Sequence, residues 1–305
     1  MNIAAVIVTF NRLECLKKTL NLYTKQELKP AKYIIINNCS TDGTKEYLDE
    51  WKKEDPERRI IRHMERNTGG SGGFYEGMKI ALLQDECEWV WVADDDAYPR
   101  VDTFKKLDEF NQEEAVAKQA SVLCSAIKAN NEWSPVQRGR MKKFLGTPME
   151  KEIPIEEFQK KYFEIDIYTF VGALMRKSAL AKAGPARKDF FIYYDDNEHS
   201  FRMAKEGKLI CVTDSIVDHD SVGSFQPRNV TWRNYYITRN VLTTYKEEFG
   251  TRAFFMRACF RTLVAFSSLR WQNIKQCFIA IHDAQKGNMG LHPIYRPGWP
   301  ENTGK

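Results

Sequence analysis

Three aspartates stand side by side at Asp94, Asp95 and Asp96, directly after the apolar run EWVWVA. Adjacent ionised carboxylates repel one another, and a divalent cation such as Mg²⁺ or Mn²⁺ turns that repulsion into coordination. In an extended chain, side chains two residues apart point the same way, so Asp94 and Asp96 can share one ion. Asp95 then faces elsewhere, toward a ribose or a sugar hydroxyl. The alternative is a solvated turn or a helix start, and the Asp-x-Asp spacing alone does not decide between these interpretations.

A second candidate is the glycine-rich stretch NTGGSGGFYEG, residues 67–77, between a predicted strand and a predicted helix. Glycines let the backbone approach a ligand closely, and amides at a helix N-terminus bind anions. The stretch is not a dinucleotide fingerprint, because Tyr75 occupies its third glycine position and it does not follow the first strand. No Gly-Lys-Ser/Thr follows it, so it is not a P-loop either. A tight turn required by packing is the alternative interpretation.

These residues depend on a regular alternation of segments in the first two-fifths of the chain. The predicted strands are 3–10, 33–38, 59–64 and 88–93, and the predicted helices are 12–23, 44–51 and 74–83. Apolar strands that alternate with helices indicate an α/β fold with a largely parallel sheet covered on both faces. Ligands bind beyond the carboxyl ends of such strands. Polar or glycine-rich sequences follow all four strands, which predicts one shared crevice.

The rest of the chain is less regular. A fifth strand is predicted at 120–127, residues 128–162 read as irregular, and strand–helix alternation resumes at Tyr168. Beyond Thr231 the pattern is helical, with helices predicted up to Gly250, over 251–270 and over 273–286. We therefore predict an α/β domain at residues 1–230 that holds the site. Residues 231–305 form a helical C-terminal extension for packing, oligomer or membrane-surface contact.

Composition limits the classes of protein that fit. The 305 residues carry a formal net charge of +5, which suits anionic partners such as nucleotide phosphates or lipid headgroups. The N-terminus lacks the pattern of a signal peptide, and the seven cysteines are scattered singly, as in a reduced compartment. No uninterrupted apolar stretch is long enough for a spanning helix. We predict a cytoplasmic protein and, because no nucleic-acid motif occurs, no nucleic-acid partner.

Five motifs follow one another in the order VTFNR, NNCSTDGT, NTGGSGG, ADDDAYP and YYDDNEHSFRMAKEG…VDHDSVGS. With this series the chain resembles the family 2 glycosyltransferases of GT-A fold, over about residues 3–240. Each motif is weak by itself, and the ordered set is specific. The sequences of the motifs NTGGSGGF and DDDAYP are most similar to those of bacterial galactofuranosyl- and rhamnosyl-transferases that build surface polysaccharides. The resemblance implies a Rossmann-like, mostly parallel GT-A sheet covered by helices.

The resemblance implies a site for a nucleotide-diphosphate sugar at the ends of the first two strands. The base- and ribose-binding positions correspond to Thr9, Asn11, Arg12, Asn37, Asn38 and Asp42, and the other donor contacts to Gly69, Gly70 and Asp95. The family usually has aspartate where this chain has Asn37, to accept the N3–H of uracil or thymine. The neutral amide oxygen of Asn37 accepts a bond about 1 kcal/mol weaker. Donors based on UDP and on dTDP therefore both stay open.

The reacting groups are also implied by the resemblance. Asp94 and Asp96 hold the metal that bridges the donor diphosphate, with His219 as a third ligand. Asp196 is the catalytic base, and Asp195 orients it or binds acceptor hydroxyls. Two adjacent carboxylates raise the pKa of one member, which suits a base. The alternatives are acids that cap a helix, for the pair, and a structural histidine, for His219.

The implied activity is metal-dependent, inverting transfer of a sugar from a nucleotide diphosphate to a glycan or lipid-linked acceptor. Galactofuranose is the favoured sugar and rhamnose the next. One alternative is a non-catalytic sugar-nucleotide or carbohydrate-binding protein on the same fold, which would lack the acids that this chain has. A second is a nucleotidyltransferase, which needs a glycine-rich loop at the first strand, where this chain has VTFNR.

Four further features each have two interpretations. Segment 252–271 interleaves arginines with aromatics and forms a helix that packs on the domain or a partner subunit, or one that lies on the anionic inner face of a membrane. His199, inside a predicted helix, packs or is solvated. Trp133 stacks on a sugar ring or has no such role. A basic cluster meets an acceptor phosphate or lies in a solvated loop; its members are Arg138, Arg140, Lys142 and Lys143.

Overall fold

The computed structural model describes residues 1–220 and 231–299. Within these ranges the strands are β1 (Ile3–Thr9), β2 (Lys32–Asn37), β3 (Arg59–His63), β4 (Trp89–Asp94), β5 (Ala97–Pro99), β6 (Ala120–Ala129), β7 (Glu132–Trp133), β8 (Arg138–Phe144), β9 (Thr147–Glu152), β10 (Tyr162–Ile165), β11 (Ile167–Tyr168), β12 (Ala173–Arg176) and β13 (Lys208–His219). The helices are α1 (Leu13–Thr24), α2 (Thr44–Lys53), α3 (Gly69–Leu82), α4 (Thr103–Glu113), α5 (Lys177–Ala183), α6 (Asp195–Ala204), α7 (Arg233–Ser267) and α8 (Trp271–Lys286). The domain boundary predicted at residue 230 falls at the edge of 221–230, outside the described residues.

The central sheet has the strand order β10-β13-β6-β12-β4-β1-β2-β3, with β5 added to β13 and β7 to β6. Strand β1 runs parallel to β2 and β4, and β2 runs parallel to β3, whereas β12 is antiparallel to β4 and β6. Helices cover both faces: Val6 and Val8 of β1 pack in one core with α3, and Ala5 and Ile7 in another with α1 and α4. The predicted α/β class with a largely parallel, two-sided sheet is confirmed.

The third helix begins at Gly69, five residues before the predicted start at Phe74, so the glycine-rich stretch is mostly helical. Helix propensity argues against glycine here, which is why the sequence pattern placed a loop. Close packing explains the glycines: an added Cβ would lie 2.5 Å from Val8 Cγ1 at Gly73 and 2.3 Å from Val6 Cγ1 at Gly77. These two glycines therefore let α3 lie against β1.

The prediction that residues 128–162 are irregular is wrong. Strands β8 and β9 of this segment belong to a second sheet of order β11-β8-β9, and the sequence pattern missed them because they are rich in charged residues and have no continuous apolar run. Arg138 is buried and donates to the carbonyls of Ser125 and Val171, so it is not available to an acceptor phosphate. The ring of Trp133 stacks on Phe158 at 5.1 Å between centroids, so that face is not available to a sugar.

The C-terminal segment is helical, as predicted. Helix α7 has non-helical backbone angles at Gly250 (φ 84°), where two helices were predicted to meet, and α8 packs against it. Helix α7 also contacts β9 and α6. Among the described residues no helix is both long and apolar enough to cross a membrane.

Candidate functional site

The ends of β1 and β4 bring the acidic triplet against the first strand. Thr9, the last residue of β1, donates from Oγ1 to Asp95 Oδ2 at 2.6 Å. Arg12 Nη1 then pairs with Asp95 Oδ1 at 3.1 Å and with Asp96 Oδ2 at 2.8 Å. Burial raises the pKa of Asp95 to about 6, against the Thr9 hydrogen bond and the Arg12 charge. Asp95 therefore faces Thr9 and Arg12, and it shares Arg12 with Asp96.

His219 reaches the triplet through a strand pairing that the sequence does not reveal. Antiparallel pairing of β5 with β13 places His219 opposite Ala97, and its Nε2 lies 3.4 Å from Asp96 Oδ1. Burial raises the pKa of Asp96, but the neighbouring His219 and Arg12 outweigh it, so that the pKa is below the ordinary value. The other ring nitrogen, His219 Nδ1, is buried and has no hydrogen-bond partner among the described residues.

The chemistry of this donor set fits a divalent cation. Asp94 is the last residue of β4, and burial together with the charges of Asp96 and Asp95 raises its pKa well above the ordinary value. Such a concentration of buried carboxylates, beside an imidazole nitrogen without a partner, is stabilised by a bound cation. The ligand atoms are not gathered around one point: within residues 1–220 and 231–299, no three His, Cys, Asp or Glu side chains are arranged to hold a metal.

Four polar residues predicted to bind the donor base and ribose tie the strand-end loops together. Asn11 Oδ1 accepts from the Thr41 amide, and Asn37 Oδ1 from the Ser40 amide. The Asp42 carboxylate accepts from the amides of Leu13 and Thr44. The Asn38 side chain accepts from the Thr68 amide and donates to the Gly69 carbonyl. These bonds hold the ends of β1 and β2 beside the start of α3.

The first cavity beside the triplet has a volume of about 460 Å³. Of the residues predicted for the donor and metal, it is lined by Thr9, Arg12, Asn38, Gly69, Gly70, Asp94 and Asp95, and not by Asn11, Asn37, Asp42, Asp96 or His219. The sequence analysis missed the remaining walls, which include Phe10, Asn67, Phe191, Ile192, Trp232, Arg233, Pro297 and Gly298. Phe10, Asn67, Phe191 and Ile192 lie within four residues of predicted site residues, and proximity to them is the signal that could have found them. The others come from distant parts of the chain and carry no local motif.

The second cavity, of about 560 Å³, holds the acid pair. It is lined by Asp195, Asp196 and His219, and by residues that were not predicted, among them Gln137, Thr169, Phe170, Tyr193, Tyr194, Asn197 and Ile237. Gly70, Asp94 and Ile192 line both cavities. Asp94 and Asp95 of the triplet therefore lie in one cleft with the acid pair, and Asp94 lies where its two halves meet. Asp96 lines neither cavity, whereas its neighbour His219 lines the second.

The acid pair starts helix α6. Asp195 is buried, and burial together with the charge of Asp196 raises its pKa. Burial also raises the pKa of Asp196, against the hydrogen bond that its Oδ1 accepts from the Asn197 amide at 2.7 Å. The pair therefore holds a proton to higher pH than isolated aspartates, and Asp196 lines the cavity.

The chain before the pair is strained. Phe191, Tyr193 and Tyr194 have φ values of 67°, 65° and 68°, which large side chains seldom adopt. Buried Asn240 of α7 offsets this strain: its Nδ2 lies 3.1, 2.9 and 2.8 Å from the carbonyl oxygens of Phe190, Ile192 and Tyr193, which share its two N–H donors. This segment, residues 190–194, is called the aromatic loop below.

Helix α7 and α3 hold the aromatic loop from opposite sides. Arg239, the neighbour of Asn240, donates from Nη2 to the Phe190 carbonyl at 2.9 Å. On the α3 side the Ser71 amide donates to the Phe191 carbonyl at 3.2 Å, and a Cβ at Gly69 would lie 1.8 Å from that carbonyl oxygen. Gly69 also has φ +72°, so both contact and conformation require glycine.

His199 is buried inside α6, as the packing interpretation expected. Its Nε2 faces the Gly184 carbonyl at 3.0 Å, and its Nδ1 faces the Tyr168 hydroxyl at 2.7 Å. Burial, with the nearby charge of Arg202, lowers its pKa to about 3. His199 is therefore a neutral structural side chain at physiological pH.

A cleft beyond the carboxyl ends of parallel strands, with two acidic clusters facing one another, defines a ligand-binding α/β protein of enzyme type. The model of the family described as "Glycosyl transferase family 2" matches residues 4–184, more than half of the chain, and the chain belongs to this family. The GT-A fold and the glycosyltransferase class predicted from the motifs are confirmed. The matched span contains Asp94 to Asp96 and ends before Asp195 and His219.

Individual relatives are more distant. Galactofuranosyltransferase GlfT1 of Mycobacterium tuberculosis is 29% identical over 209 residues, which cover 68% of this chain and 66%, just under two thirds, of that protein. Staphylococcus aureus TarS 1-349, solved in complex with UDP-GlcNAc, superimposes with a TM-score of 0.59 at 17% identity, over 93% of this chain and 81% of that one. Mannosyltransferase PcManGT of Pyrobaculum calidifontis, solved with GDP-Man and Mn²⁺, superimposes with a TM-score of 0.58 at 13% identity, over 96% of this chain and 76% of that one. At these identities the two structures establish the fold alone.

Proposed function

We propose that the protein transfers a sugar, with inversion at the anomeric carbon, from a nucleoside-diphosphate donor to a hydroxyl of a glycan or lipid-linked acceptor. The observation that carries this proposal is the shared cleft: Asp94 and Gly70 line both the cavity beside the triplet and the cavity that holds Asp195 and Asp196. A donor in the first cavity and an acceptor in the second would meet at Asp94.

The donor occupies the 460 Å³ cavity, which is large enough for a nucleotide. Thr9, Arg12 and Asn38 contact its base and ribose, and Gly69 and Gly70 let the diphosphate approach the start of α3, where the helix dipole favours anions. Asn11, Asn37 and Asp42 belong to the same loops, and their role is to hold the base-binding edge in shape. The base of either a UDP-sugar or a dTDP-sugar fits at this base-binding edge.

Asp196 acts as the base, and Asp195 either orients the Asp196 carboxylate or binds acceptor hydroxyls. The carboxylate of Asp196 takes the proton of the acceptor hydroxyl while that oxygen attacks the anomeric carbon from the side opposite the diphosphate. The bond from the anomeric carbon to the diphosphate oxygen breaks, and its electron pair leaves with the nucleoside diphosphate. One displacement of this kind inverts the anomeric centre.

Asp94, Asp96 and His219 are the residues that would hold a divalent cation, Mn²⁺ or Mg²⁺. When bound, this cation neutralises negative charge on the leaving diphosphate. Arg12 already pairs with Asp95 and Asp96 and places a second positive charge at the same edge of the cleft. PcManGT was solved with Mn²⁺ and a nucleotide sugar, which supports this part of the proposal.

Galactofuranose is the sugar we propose first, because GlfT1 of Mycobacterium tuberculosis is a galactofuranosyltransferase, and rhamnose is the second. The product would belong to a surface polysaccharide, and the enzyme would work in the cytoplasm, at the inner face of the membrane.

A panel of nucleotide sugars, with UDP-galactofuranose and dTDP-rhamnose included, tests the activity when transfer or hydrolysis is followed by mass spectrometry. Two variants separate the roles. Asp196→Asn should abolish transfer and keep UDP affinity, whereas Asp96→Ala should weaken Mn²⁺-dependent UDP binding measured by calorimetry. The exposed Asp85→Asn is the matched control and should change neither. Loss of UDP affinity in Asp196→Asn, or an unchanged Mn²⁺ requirement in Asp96→Ala, contradicts the assigned roles.

A further inference from the structure

An exposed apolar surface runs from the tip of the β8–β9 hairpin along the C-terminal helices. We call it the apolar ridge, and its main members, 49% to 91% exposed, are Leu145, Phe255, Leu263, Phe266, Leu269 and Trp271. Single exposed apolar residues are ordinary on a protein surface, but a contiguous set marks a site of interaction.

Contacts make the ridge continuous. Arg252 Nη2 donates to the Leu145 carbonyl at 3.5 Å, so the hairpin tip lies beside the second half of α7. Phe255, Leu263 and Phe266 follow at spacings that keep them on one helix face. The Phe266 ring then meets Phe278 of α8, with 6.4 Å between centroids.

Cations without acidic neighbours flank the ridge. No Asp or Glu occurs between Glu248 and Asp283, and this segment exposes Arg252, Arg270 and Lys275. Its other two arginines face inward: Arg257 pairs with Glu150, and Arg261 donates to the Thr238 hydroxyl.

The hairpin adds positive charge at the other end of the ridge. Lys142 and Lys143 are exposed next to its tip, and the like charge of Lys151 lowers the pKa of Lys142. The acid Glu150 is already paired with Arg257 and does not offset them. Apolar side chains bordered by uncompensated cations match the chemistry of an anionic bilayer surface.

We propose that the apolar ridge binds the surface of a bilayer that contains anionic lipids. The inference rests on the proposed function in one respect, because it makes the acceptor a lipid-linked one. The acceptor cavity lies close to the ridge: Tyr194 lines that cavity and donates from its hydroxyl to Glu150, which pairs with Arg257 of α7. Docking through the ridge would thus present the cavity to a substrate anchored in the same bilayer.

A second copy of the chain is a weaker match for this surface. Two-fold association through the ridge places the same patch on both partners, so Arg252, Arg270 and Lys275 of one copy would approach those of the other. Like charges brought together in this way oppose association, whereas anionic headgroups attract them.

Co-sedimentation of the full chain with lipid vesicles tests the proposal. We expect binding to vesicles of phosphatidylcholine that contain about 30 mol % phosphatidylglycerol, and at least tenfold weaker binding to phosphatidylcholine alone, because the cations need anionic headgroups. Raising NaCl to about 0.5 M should weaken the binding, since it screens exposed charges. Absence of binding to the anionic vesicles at low salt overturns the proposal.

Matched variants locate the binding surface. Changing Arg252, Arg270 and Lys275 together to Gln should weaken vesicle binding about a hundredfold, at about fivefold for each charge. The control changes three exposed lysines elsewhere, Lys25, Lys52 and Lys118, to Gln and should leave binding unchanged. The double change Leu269→Ser and Trp271→Ser should also weaken binding at least tenfold, whereas Leu83→Ser, at a 77% exposed leucine directly after α3, should not. Equal losses in the variants and their controls contradict the ridge as the docking surface.

Two further readouts separate other outcomes. If analytical ultracentrifugation finds a dimer that Leu269→Ser with Trp271→Ser converts to a monomer, and vesicles are not bound, the ridge is a subunit interface and the proposal is wrong. Nucleotide-sugar hydrolysis in solution should be the same in the ridge variants and in the unaltered protein. Absence of hydrolysis in both would count against the proposed function, and the vesicle result would stand independently.

Discussion

The side-chain amide of Asn240 donates a hydrogen bond of 2.8 Å to the carbonyl of Tyr193, two residues before Asp195. The same nitrogen also lies within hydrogen-bonding distance of the Phe190 and Ile192 carbonyls, which share its second N–H, so one buried residue of α7 fixes the course of the aromatic loop. The family match ends at residue 184, yet the geometry of the proposed base depends on a helix that begins at Arg233.

Asn240→Ala should therefore lower kcat. Three buried carbonyls lose a donor, which should cost about 1 to 3 kcal/mol of unfolding free energy. A base displaced by about 1 Å lowers the rate about a hundredfold. Steady-state kinetics and urea unfolding measure the two effects.

Thr244→Val is the control for Asn240→Ala, one helical turn further along α7. The Thr244 hydroxyl is buried and has no hydrogen-bond partner among the described residues, so its loss should leave kcat unchanged. An Asn240→Ala enzyme with unaltered kcat would show that the aromatic loop keeps its shape without this residue.

Gly69→Ala should strongly destabilise the fold. The new Cβ would lie 1.8 Å from the Phe191 carbonyl oxygen, in a backbone conformation of φ +72° that alanine disfavours. The conformational strain alone costs about 1 to 3 kcal/mol, and relief of the clash must move the aromatic loop as well. Thermal unfolding followed by circular dichroism measures the loss.

The neighbouring Gly70→Ala is a matched control. Apart from its chain neighbours and the backbone of its own helix, no atom of the described residues lies within 4 Å of its added Cβ, and alanine is a better helix former than glycine by about 1 kcal/mol. Its melting temperature should be equal to or above that of the unaltered protein. A comparable loss of stability in both variants would contradict the close-contact explanation for Gly69.

As the pH is lowered, the rate of transfer should begin to fall at a higher pH than it would with an ordinary aspartate as the base. Burial raises the pKa of Asp196, and burial and the Asp196 charge raise that of Asp195, so the base becomes protonated above the ordinary aspartate range near about 4. A plot of log kcat/KM against pH should fall toward low pH, with an apparent pKa that belongs to the pair.

Asp195→Asn removes one of the two charges and should move that fall to lower pH. The profile of a variant in which only folding was impaired would drop in height and keep its midpoint. A midpoint that stays fixed in Asp195→Asn would contradict electrostatic coupling within the pair.

His199 should make the stability of the fold depend on pH. Its pKa is about 3 in the folded protein and near 6.5 in an unfolded chain. Between these values the unfolded state binds more protons, so this contribution to stability is present above about pH 6.5 and declines as the pH falls toward 3. Urea unfolding at several pH values should show a smaller decline in His199→Gln, while the exposed His282→Gln should behave as the unaltered protein does.

Local patterns in the sequence determined the part of the fold that surrounds the triplet. Continuous apolar strands such as β1 and β4 are recognised because both of their faces are buried. The hairpin of β8 and β9 was missed because its strands are half exposed. The start of α3 was missed because Gly73 and Gly77 are required by close contacts with β1, which the local sequence does not show. Tertiary contact overrode local propensity in both places.

In the candidate site, too, some residues can be located from the sequence pattern and others only from long-range contacts in the folded chain. Asp94, Asp95 and Asp96 follow an apolar strand and can be located by pattern alone. The proximity of His219 to Asp96 depends on the pairing of β5 with β13, and the role of Asn240 depends on how α7 crosses the aromatic loop. No spacing in the sequence encodes these long-range arrangements, so only the folded chain reveals them.

Thr9 and Pro297, nearly the whole described chain apart, line one cavity. During synthesis, domains fold from the N-terminal side as the chain emerges. The sheet around β1 can form early, but a nucleotide finds its full set of walls only after α7 and the segment beyond α8 have left the ribosome. A ligand bound in this cavity would link the parts of the chain around Thr9 and Pro297 against unfolding.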